Sequence, residues 1–297
     1  MPPRAIRYAT DADSLFFPGR ADDFFPLGPG VLEGALCAEM ARAAYIKHEE
    51  RSEKVRLSAI LGRVGFTVVD HLDADGTQGF IADGQTQEGR VIRVIAFRGT
   101  EPDDPRDLLA DIQAWREPWH GGARVHAGFA KALSPVRQRV MSAIDASQRE
   151  VVVTGHSLGA ALATLVASVR PSTRLYTFGS PRVGNAAFAA MIGPARQWRY
   201  VDYVDAVTTV PPPLSGLVYV HLEPASFIDA DGVVEAGLSD AEIRERQARA
   251  GGRGLDVGAI LTRFAARNAT DEGGIPLRDL TDHAPINYVA ALMGLPA

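Results

Sequence analysis

The stretch from Val151 to Val169 constrains the fold of this chain more than any other. It begins with three valines, which predict a short buried strand because β-branched side chains favour strands. The Ala- and Leu-rich run at 158–169 predicts a helix. Gly-His-Ser-Leu-Gly at 155–159 joins the two and matches the G-x-S-x-G motif in the strand–turn–helix context that the motif requires. The stretch therefore predicts a sharp turn that presents Ser157 as a nucleophile.

Steric crowding explains why the motif has glycine at both of these positions. A serine held on a sharp turn needs a strained backbone, and bulky neighbours would clash there. Gly155 and Gly159 remove that bulk, so the Ser157 hydroxyl is expected to project from the end of the sheet. The following helix directs its N-terminus, with its partial positive charge, at the same point. A chance Gly-Ser turn is the alternative interpretation.

Apolar strands alternate with helical segments along most of the chain. Besides the nucleophile unit, strands are predicted at 65–72, 78–82, 91–97, 174–178 and 198–204. This alternation predicts an α/β fold with a mostly parallel central sheet and helices on both faces. Functional groups in such sheets lie at the carboxyl ends of strands, where Thr100, Ser157 and Asp205 are expected.

Two regions are distinguished by composition. Residues 1–29 contain five prolines and two Phe pairs, which predict an irregular N-terminal arm. Residues 30–297 show no internal repeat and no linker, and are predicted to form a single α/β domain.

A serine hydroxyl needs a base within hydrogen-bond reach, and the base needs a carboxylate to orient it. Asp205 is favoured as the carboxylate because it follows a predicted strand, whereas its rival Asp202 lies inside that strand. Where a G-x-S-x-G turn carries the nucleophile, the three residues follow in the chain order Ser, Asp, His. Only His221 and His283 come after Asp205 in the chain. His221 ends an apolar run typical of a packed strand. His283 lies in a polar turn before a helix and is therefore the expected base.

The oxyanion formed during attack needs two preorganised donors. The backbone N–H of Leu158 is one candidate, since it directly follows the nucleophile. Thr100 is the other, because it follows the strand at 91–97, although it could instead cap the next helix.

A short helical pattern follows Thr100, with one apolar face formed by Leu108, Leu109, Ile112 and Trp115. This face is a candidate lid that covers the site in water and opens onto lipid. A surface helix packed permanently on the core is the alternative interpretation.

Several segments together resemble, in order and spacing, the class 3, fungal-type lipase family of α/β-hydrolases. They are Phe97–Thr100, Val125–Phe129, Gly155–Ala163, Thr177–Asn185, and Asp205 followed by Val207, Pro211 and Pro212. The resemblance covers most of residues 30–293 and implies the α/β-hydrolase fold.

It also implies a triad of Ser157, Asp205 and His283, with an oxyanion hole formed by Thr100 and Leu158. Hydrolysis of carboxylic esters, often triacylglycerols, without a metal or organic cofactor is implied, as is a short lid after the segment ending in Thr100.

Net charge, cysteine content and hydropathy limit the classes of partner and the location that are expected for this chain. The net charge is −5 and there is no basic run, so nucleic acid is not an expected partner. The single cysteine excludes an intrachain disulfide and argues against a cysteine-based metal site. The first residues lack the apolar core of a secretory signal, and no apolar run is long enough to cross a membrane. A cytoplasmic location is therefore expected, with an ester or lipid substrate and, through the lid, transient contact with a lipid interface.

Together these features predict a serine ester hydrolase, a lipase or carboxylesterase that works through an acyl-enzyme intermediate. Phospholipase A1 action or acyl transfer by the same residues is an alternative from the same chemistry. A catalytically silent binding protein is the alternative from another class, since fold alone does not imply function.

Overall fold

A computed structural model provides the structure of the chain and describes residues 8–30, 32–100, 115–212, 218–250 and 278–293. Its strands are β1 (Thr67–Ala74), β2 (Thr77–Gln85), β3 (Val91–Phe97), β4 (Arg116–Pro118), β5 (Arg124–His126), β6 (Glu150–His156), β7 (Arg174–Phe178), β8 (Gln197–Asp202), β9 (Ala225–Ile228) and β10 (Val234–Leu238). Its helices are α1 (Ala12–Phe16), α2 (Glu33–Ala43), α3 (Arg51–Arg63), α4 (Ala127–Asp145), α5 (Leu158–Val169), α6 (Ala186–Ala189), α7 (Asp240–Ala250), α8 (Arg278–Thr281) and α9 (Pro285–Leu292).

Eight of the described strands form one sheet in the order β1-β2-β3-β6-β7-β8-β9-β10. The five strands from β3 to β9 along this order run parallel, and the pairs at the two edges are antiparallel. The mostly parallel sheet predicted from the alternating pattern is therefore confirmed. Parallel pairing brings the carboxyl ends of β3, β6, β7 and β8 to one edge of the sheet, where the candidate residues were expected.

Helices cover both faces of this sheet, and the strands divide their side chains between the two layers. Val152 of β6 packs into the layer that contains α2, α3 and α9. Its neighbour Val153 packs into the opposite layer, with α4 and α5. This alternation follows from the two-residue period of a strand and explains why the central strands are apolar on both faces.

Some boundaries differ from the predicted ones for local reasons. β1 begins at Thr67 rather than Gly65, because Gly65 has a φ of +79° and belongs to the turn that closes α3. β8 ends at Asp202 rather than at residue 204, where the Val204 N–H instead donates to the Asp282 carboxylate.

The N-terminal arm contains the short α1 and a 3-10 turn at Pro18–Arg20, and buries Phe24 and Phe25 in the core. The division of the chain at residue 29 stays a prediction. No helix within the described ranges combines the length and apolar character needed to cross a bilayer.

Candidate active site

Ser157 occupies the turn between β6 and α5. Its φ of +59° and ψ of −128° are strained for a residue with a side chain. Its backbone N–H donates to the Phe178 carbonyl at the end of β7, 3.0 Å away, which holds the turn against the sheet. The side chain is buried, and its Oγ has no hydrogen-bond partner among the described residues. The turn thus presents a strained serine whose hydroxyl forms no hydrogen bond with the described residues.

The glycines around Ser157 allow two backbone approaches that any side chain would block. A Cβ on Gly155 would lie 2.3 Å from the Gly159 backbone, and a Cβ on Gly159 would lie 2.3 Å from the Phe97 carbonyl oxygen. The steric reason proposed from the sequence therefore has a direct counterpart in the structure, since the start of α5 lies tightly against β3 and β6.

Asp205 and His283 meet in the interior although 78 residues separate them. His283 Nδ1 lies 2.9 Å from Asp205 Oδ2 and 3.0 Å from Oδ1, and both side chains are buried. Its ring centroid is 4.4 Å from that of His156, the residue before Ser157, so the imidazole lies over the nucleophile turn. With Nδ1–H donated to the carboxylate, Nε2 is left as the nitrogen that can act as a base.

The Asp205 carboxylate is also held by two further donors. Tyr288 donates its hydroxyl to Oδ2 at 2.6 Å, and the Val207 N–H donates to Oδ1 at 2.9 Å. Burial, and next the charge of Asp205, raise the pKa of Tyr288 well above its usual value, so its hydroxyl stays protonated and donates. Hydrogen bonds to a carboxylate are stronger than those between neutral groups, so these donors fix the carboxylate in place.

The turn that carries His283 is fixed from the other side by Asp282. Its Oδ2 accepts from the Val204 N–H at 3.1 Å, and its Oδ1 accepts from the hydroxyl of Tyr8 in the N-terminal arm. Both partners lie far from Asp282 in sequence, so the arm and the end of β8 together position the histidine turn.

A second histidine supports the first. His156 Nε2 lies 2.7 Å from the His283 carbonyl oxygen, and His156 Nδ1 lies 2.7 Å from the Tyr45 hydroxyl. Burial, and next the neighbouring His283, lower the pKa of His156 well below its usual value, so the ring is neutral. A neutral ring fits both contacts, since Nε2–H donates to the carbonyl and Nδ1 accepts from Tyr45.

The rival residues have other partners. His221 donates from Nε2 to the Thr208 carbonyl at 2.7 Å, and burial followed by the nearby arginines lowers its pKa well below the usual value. The backbone N–H of Asp202 donates to the Tyr288 hydroxyl at 3.1 Å. The structure therefore joins His283 to Asp205 and places His221 in a separate cluster.

A cavity of about 900 Å³ opens at Ser157. Thr100 and Leu158, the two expected oxyanion residues, both line it. Leu158 is the first residue of α5, so its backbone N–H has no partner within the helix. Apolar side chains including Phe129 and Leu162 line the same cavity, and its remaining lining is polar or charged, with Lys47, Glu49, Gln78, Arg98 and Lys131.

Most of the predicted lid lies outside the described residues, namely Leu108, Leu109 and Ile112. Trp115 is described and is 80% exposed, just before β4. The lid and its permanently packed alternative both stay predictions. No group of three or more His, Cys, Asp or Glu side chains that could hold a metal occurs in the described part of the chain.

Comparison with known proteins shows that this chain is similar to proteins named as lipases. Residues 94–215 match the lipase (class 3) family. A secreted mono- and diacylglycerol lipase 1 from Fusarium solani is 32% identical over 179 residues, which cover 54% of this chain and 53% of the relative. A secreted mono- and diacylglycerol lipase A from Penicillium cyclopium is 33% identical over 180 residues, 56% of this chain and 57% of the relative. The chain thus spans about half the length of the curated relatives it matches.

The solved structure of a mono- and diacylglycerol lipase from Aspergillus oryzae has a TM-score of 0.61 and 26% identity, covering 77% of this chain and 93% of that one. This likeness confirms the α/β-hydrolase fold.

The expected cytoplasmic location is wrong, because the relatives are named as secreted lipases. That expectation rested on the composition of the first residues and on the lack of an apolar run long enough to cross a membrane, neither of which fixes a compartment.

Proposed function

We propose that this chain, which belongs to the class 3 lipase family, is a serine ester hydrolase that cleaves acylglycerols through an acyl-enzyme intermediate. The observation that carries the proposal is the buried hydrogen bond between Asp205 and His283, beside a strained serine that lines a cavity. Nucleophile, base and orienting carboxylate are the three parts that acyl transfer to a serine requires.

In the first half of the reaction, His283 Nε2 takes the proton of Ser157 as Oγ attacks the ester carbonyl carbon. The backbone N–H of Leu158 and a donor from Thr100 hold the oxyanion that forms. Asp205 keeps Nδ1 protonated and stabilises the positive charge of the imidazolium. His283 then gives its proton to the departing alkoxide, which leaves an acyl group on Ser157.

In the second half, water replaces the alcohol. His283 takes a proton from the water as its oxygen attacks the acyl carbon, and the same donors hold the second oxyanion. Collapse returns the proton to Ser157 Oγ and releases the carboxylic acid, so the enzyme is regenerated without a cofactor.

The cavity supports a substrate with an apolar and a polar part. Phe129, Leu158 and Leu162 offer apolar surface next to Ser157, which suits an acyl chain. Polar side chains elsewhere in the lining, such as Gln78 and Lys131, suit the hydroxyl groups of a partly acylated glycerol. The names of the relatives, secreted mono- and diacylglycerol lipases, support mono- and diacylglycerols as substrates and an extracellular location. The exposed Trp115 supports transient contact with a lipid interface.

The test is hydrolysis of a p-nitrophenyl ester series from acetate to palmitate, together with emulsified mono-, di- and triacylglycerols. Wild-type protein is expected to hydrolyse esters, and Ser157→Ala to lose several orders of magnitude in kcat with an unchanged melting temperature (Tm), as triad removals do elsewhere. An active Ser157→Ala variant, or a wild type inactive on every ester, would contradict the proposal. Faster hydrolysis of a phospholipid than of any glyceride would favour the phospholipase alternative.

A further inference from the structure

The hydrogen-bond ladder of helix α4 is interrupted where the helix lines the cavity that contains Ser157. Pro135 lies inside this helix and lines the cavity. Proline has no backbone N–H, so the Lys131 carbonyl oxygen, four residues earlier, lacks the donor that an α-helix normally supplies. One backbone acceptor of the cavity wall is therefore free to bind a group that is not part of the helix.

The free carbonyl lies on the face of α4 that forms the cavity wall. Gly128, Lys131, Ala132 and Pro135 are spaced as i, i+3, i+4 and i+7, and all four line the cavity. A helical carbonyl points towards the residue four positions later, so that of Lys131 lies between two lining residues. Thr77, which lines the cavity from the facing wall, donates its hydroxyl to the carbonyl of Ala132 at 2.6 Å. A side chain of the facing wall thus reaches a carbonyl in this turn of α4, while that of Lys131 keeps no donor.

The facing wall is the turn between β1 and β2, which lies next to the segment that ends in Thr100. The backbone N–H of Arg98 donates to the Gln78 carbonyl at 2.9 Å, and both Gln78 and Thr100 line the cavity. The apolar lining residues Leu158 and Leu162 belong to α5 instead. The cavity therefore has a polar end between the β1–β2 turn and α4, and an apolar end along α5.

A free carbonyl oxygen binds only a group that donates a hydrogen bond. A hydroxyl can donate to it, whereas the oxygens of an ester or an ether can only accept. With the acyl chain in the apolar end and the ester carbonyl at Ser157, the alcohol part of a substrate extends into the polar end. The alcohol part of a monoacylglycerol carries two hydroxyls, that of a diacylglycerol carries one, and that of a triacylglycerol carries none.

We propose that the Lys131 carbonyl oxygen is the acceptor of an alcohol subsite, which binds a free hydroxyl of a partly acylated glycerol. This inference rests on the proposed ester hydrolysis and names the substrate feature that the polar end of the cavity recognises. Pro135 creates the subsite, because an uninterrupted helix would use this oxygen for its own hydrogen bond. The subsite favours mono- and diacylglycerols over triacylglycerols, which leave the acceptor unpaired.

A matched pair of soluble esters tests the subsite. One is glyceryl monobutyrate, and the other is the same ester with both hydroxyls methylated. Wild-type protein should have the higher kcat/KM for the hydroxylated ester. In Pro135→Ala, a new backbone N–H occupies the Lys131 carbonyl, so this preference should fall about threefold, as expected for one hydrogen bond between neutral groups. The bulk of the methyl groups cancels, because both proteins are given the same two esters.

Gly62→Ala in α3 is the matched control. It also favours a helix, a Cβ there meets no neighbour within 4 Å, and Gly62 does not line the cavity, so the wild-type preference should persist. An unchanged preference in Pro135→Ala would overturn the inference. An equal loss of kcat/KM for both esters would also overturn it, since that shows a changed cavity shape and not a lost acceptor. Ester hydrolysis continues in both cases, so the proposed function would stand.

Binding of an ether decides the matter even if the protein hydrolyses neither ester, which would contradict the proposed function. Octyl glyceryl ether and its dimethylated form contain no ester, and their Kd values can be measured by NMR titration. Wild-type protein should bind the form with free hydroxyls more tightly, and Pro135→Ala should reduce this preference about threefold. Equal ratios of Kd in the two proteins would overturn the subsite.

Discussion

Replacement of Tyr288 by phenylalanine tests how the carboxylate of the candidate triad is held. The change removes one hydroxyl, which donates to Asp205 Oδ2 at 2.6 Å and accepts from the Asp202 N–H at 3.1 Å. The ring should stay in place, because it is fully buried and packs edge-on against Phe178 and His156. The variant therefore removes two hydrogen bonds without opening a cavity.

The expected magnitudes follow from these two bonds. A hydrogen bond to a charged group contributes about 1.5–3 kcal/mol, and a buried N–H left unpaired costs about 1–3 kcal/mol, so the free energy of unfolding should fall by about 2.5–6 kcal/mol. The Val207 N–H still holds Asp205. About half of the lost bond energy should therefore reach the transition state, which is about 1.4 kcal/mol or a tenfold loss of kcat. KM should not change, since Tyr288 does not line the substrate cavity.

The assay is steady-state ester hydrolysis together with urea unfolding at the same temperature. Tyr176→Phe is a matched control, because Tyr176 is also buried and its hydroxyl also bonds to a charged group, the Arg174 guanidinium at 3.0 Å. It should lose stability and keep its kcat. An unchanged kcat in Tyr288→Phe would refute the reasoning, as would an equal loss in Tyr176→Phe.

Three further substitutions and a change of pH probe the candidate site and the alternative histidine. Gly179→Ala, at a φ of +58°, would place a Cβ 2.8 Å from Asp205 Oδ2 and 2.9 Å from His283 Nδ1, so kcat should fall about 100-fold while circular dichroism stays native; full activity would contradict this. His283→Ala should lose about 10⁴-fold or more in kcat, whereas His221→Ala should lose mainly Tm; the reverse pattern would show that the base is misassigned. Because the folded state depresses the pKa values of His156 and His221, only the unfolded state binds their protons just below pH 6.5. Stability should therefore decrease as the pH falls below about 6.5, by up to about 2.7 kcal/mol per pH unit for the two residues, and equal urea midpoints at about pH 7 and pH 5 would argue against neutral rings.

The nucleophile turn could be predicted from sequence because its determinants are local. Gly155 and Gly159 flank Ser157, and the contacts that exclude a side chain at each lie in the same turn or in the adjacent strand β3. The pairing of Asp205 with His283 was accessible for a different reason. Only His221 and His283 follow Asp205 in the sequence, and chain order together with local polarity favours His283.

The supporting residues could not be predicted in this way. Tyr45 meets His156 across 111 residues, and Tyr8 meets Asp282 across 274. Nothing in the sequence around Tyr45 or Tyr8 marks these contacts, because packing of α2 and the N-terminal arm against the sheet creates them. The early end of β8 has the same origin, since the carboxylate that accepts from Val204 comes from a distant turn.

The most direct test of the central claim is covalent labelling with a fluorophosphonate probe, read by mass spectrometry of the digested protein. The proposed mechanism predicts a single adduct on the peptide that contains Ser157, absent in Ser157→Ala and formed much more slowly in His283→Ala. An adduct on a different residue, or ester hydrolysis at the wild-type rate by a protein that takes no label at Ser157, would contradict it.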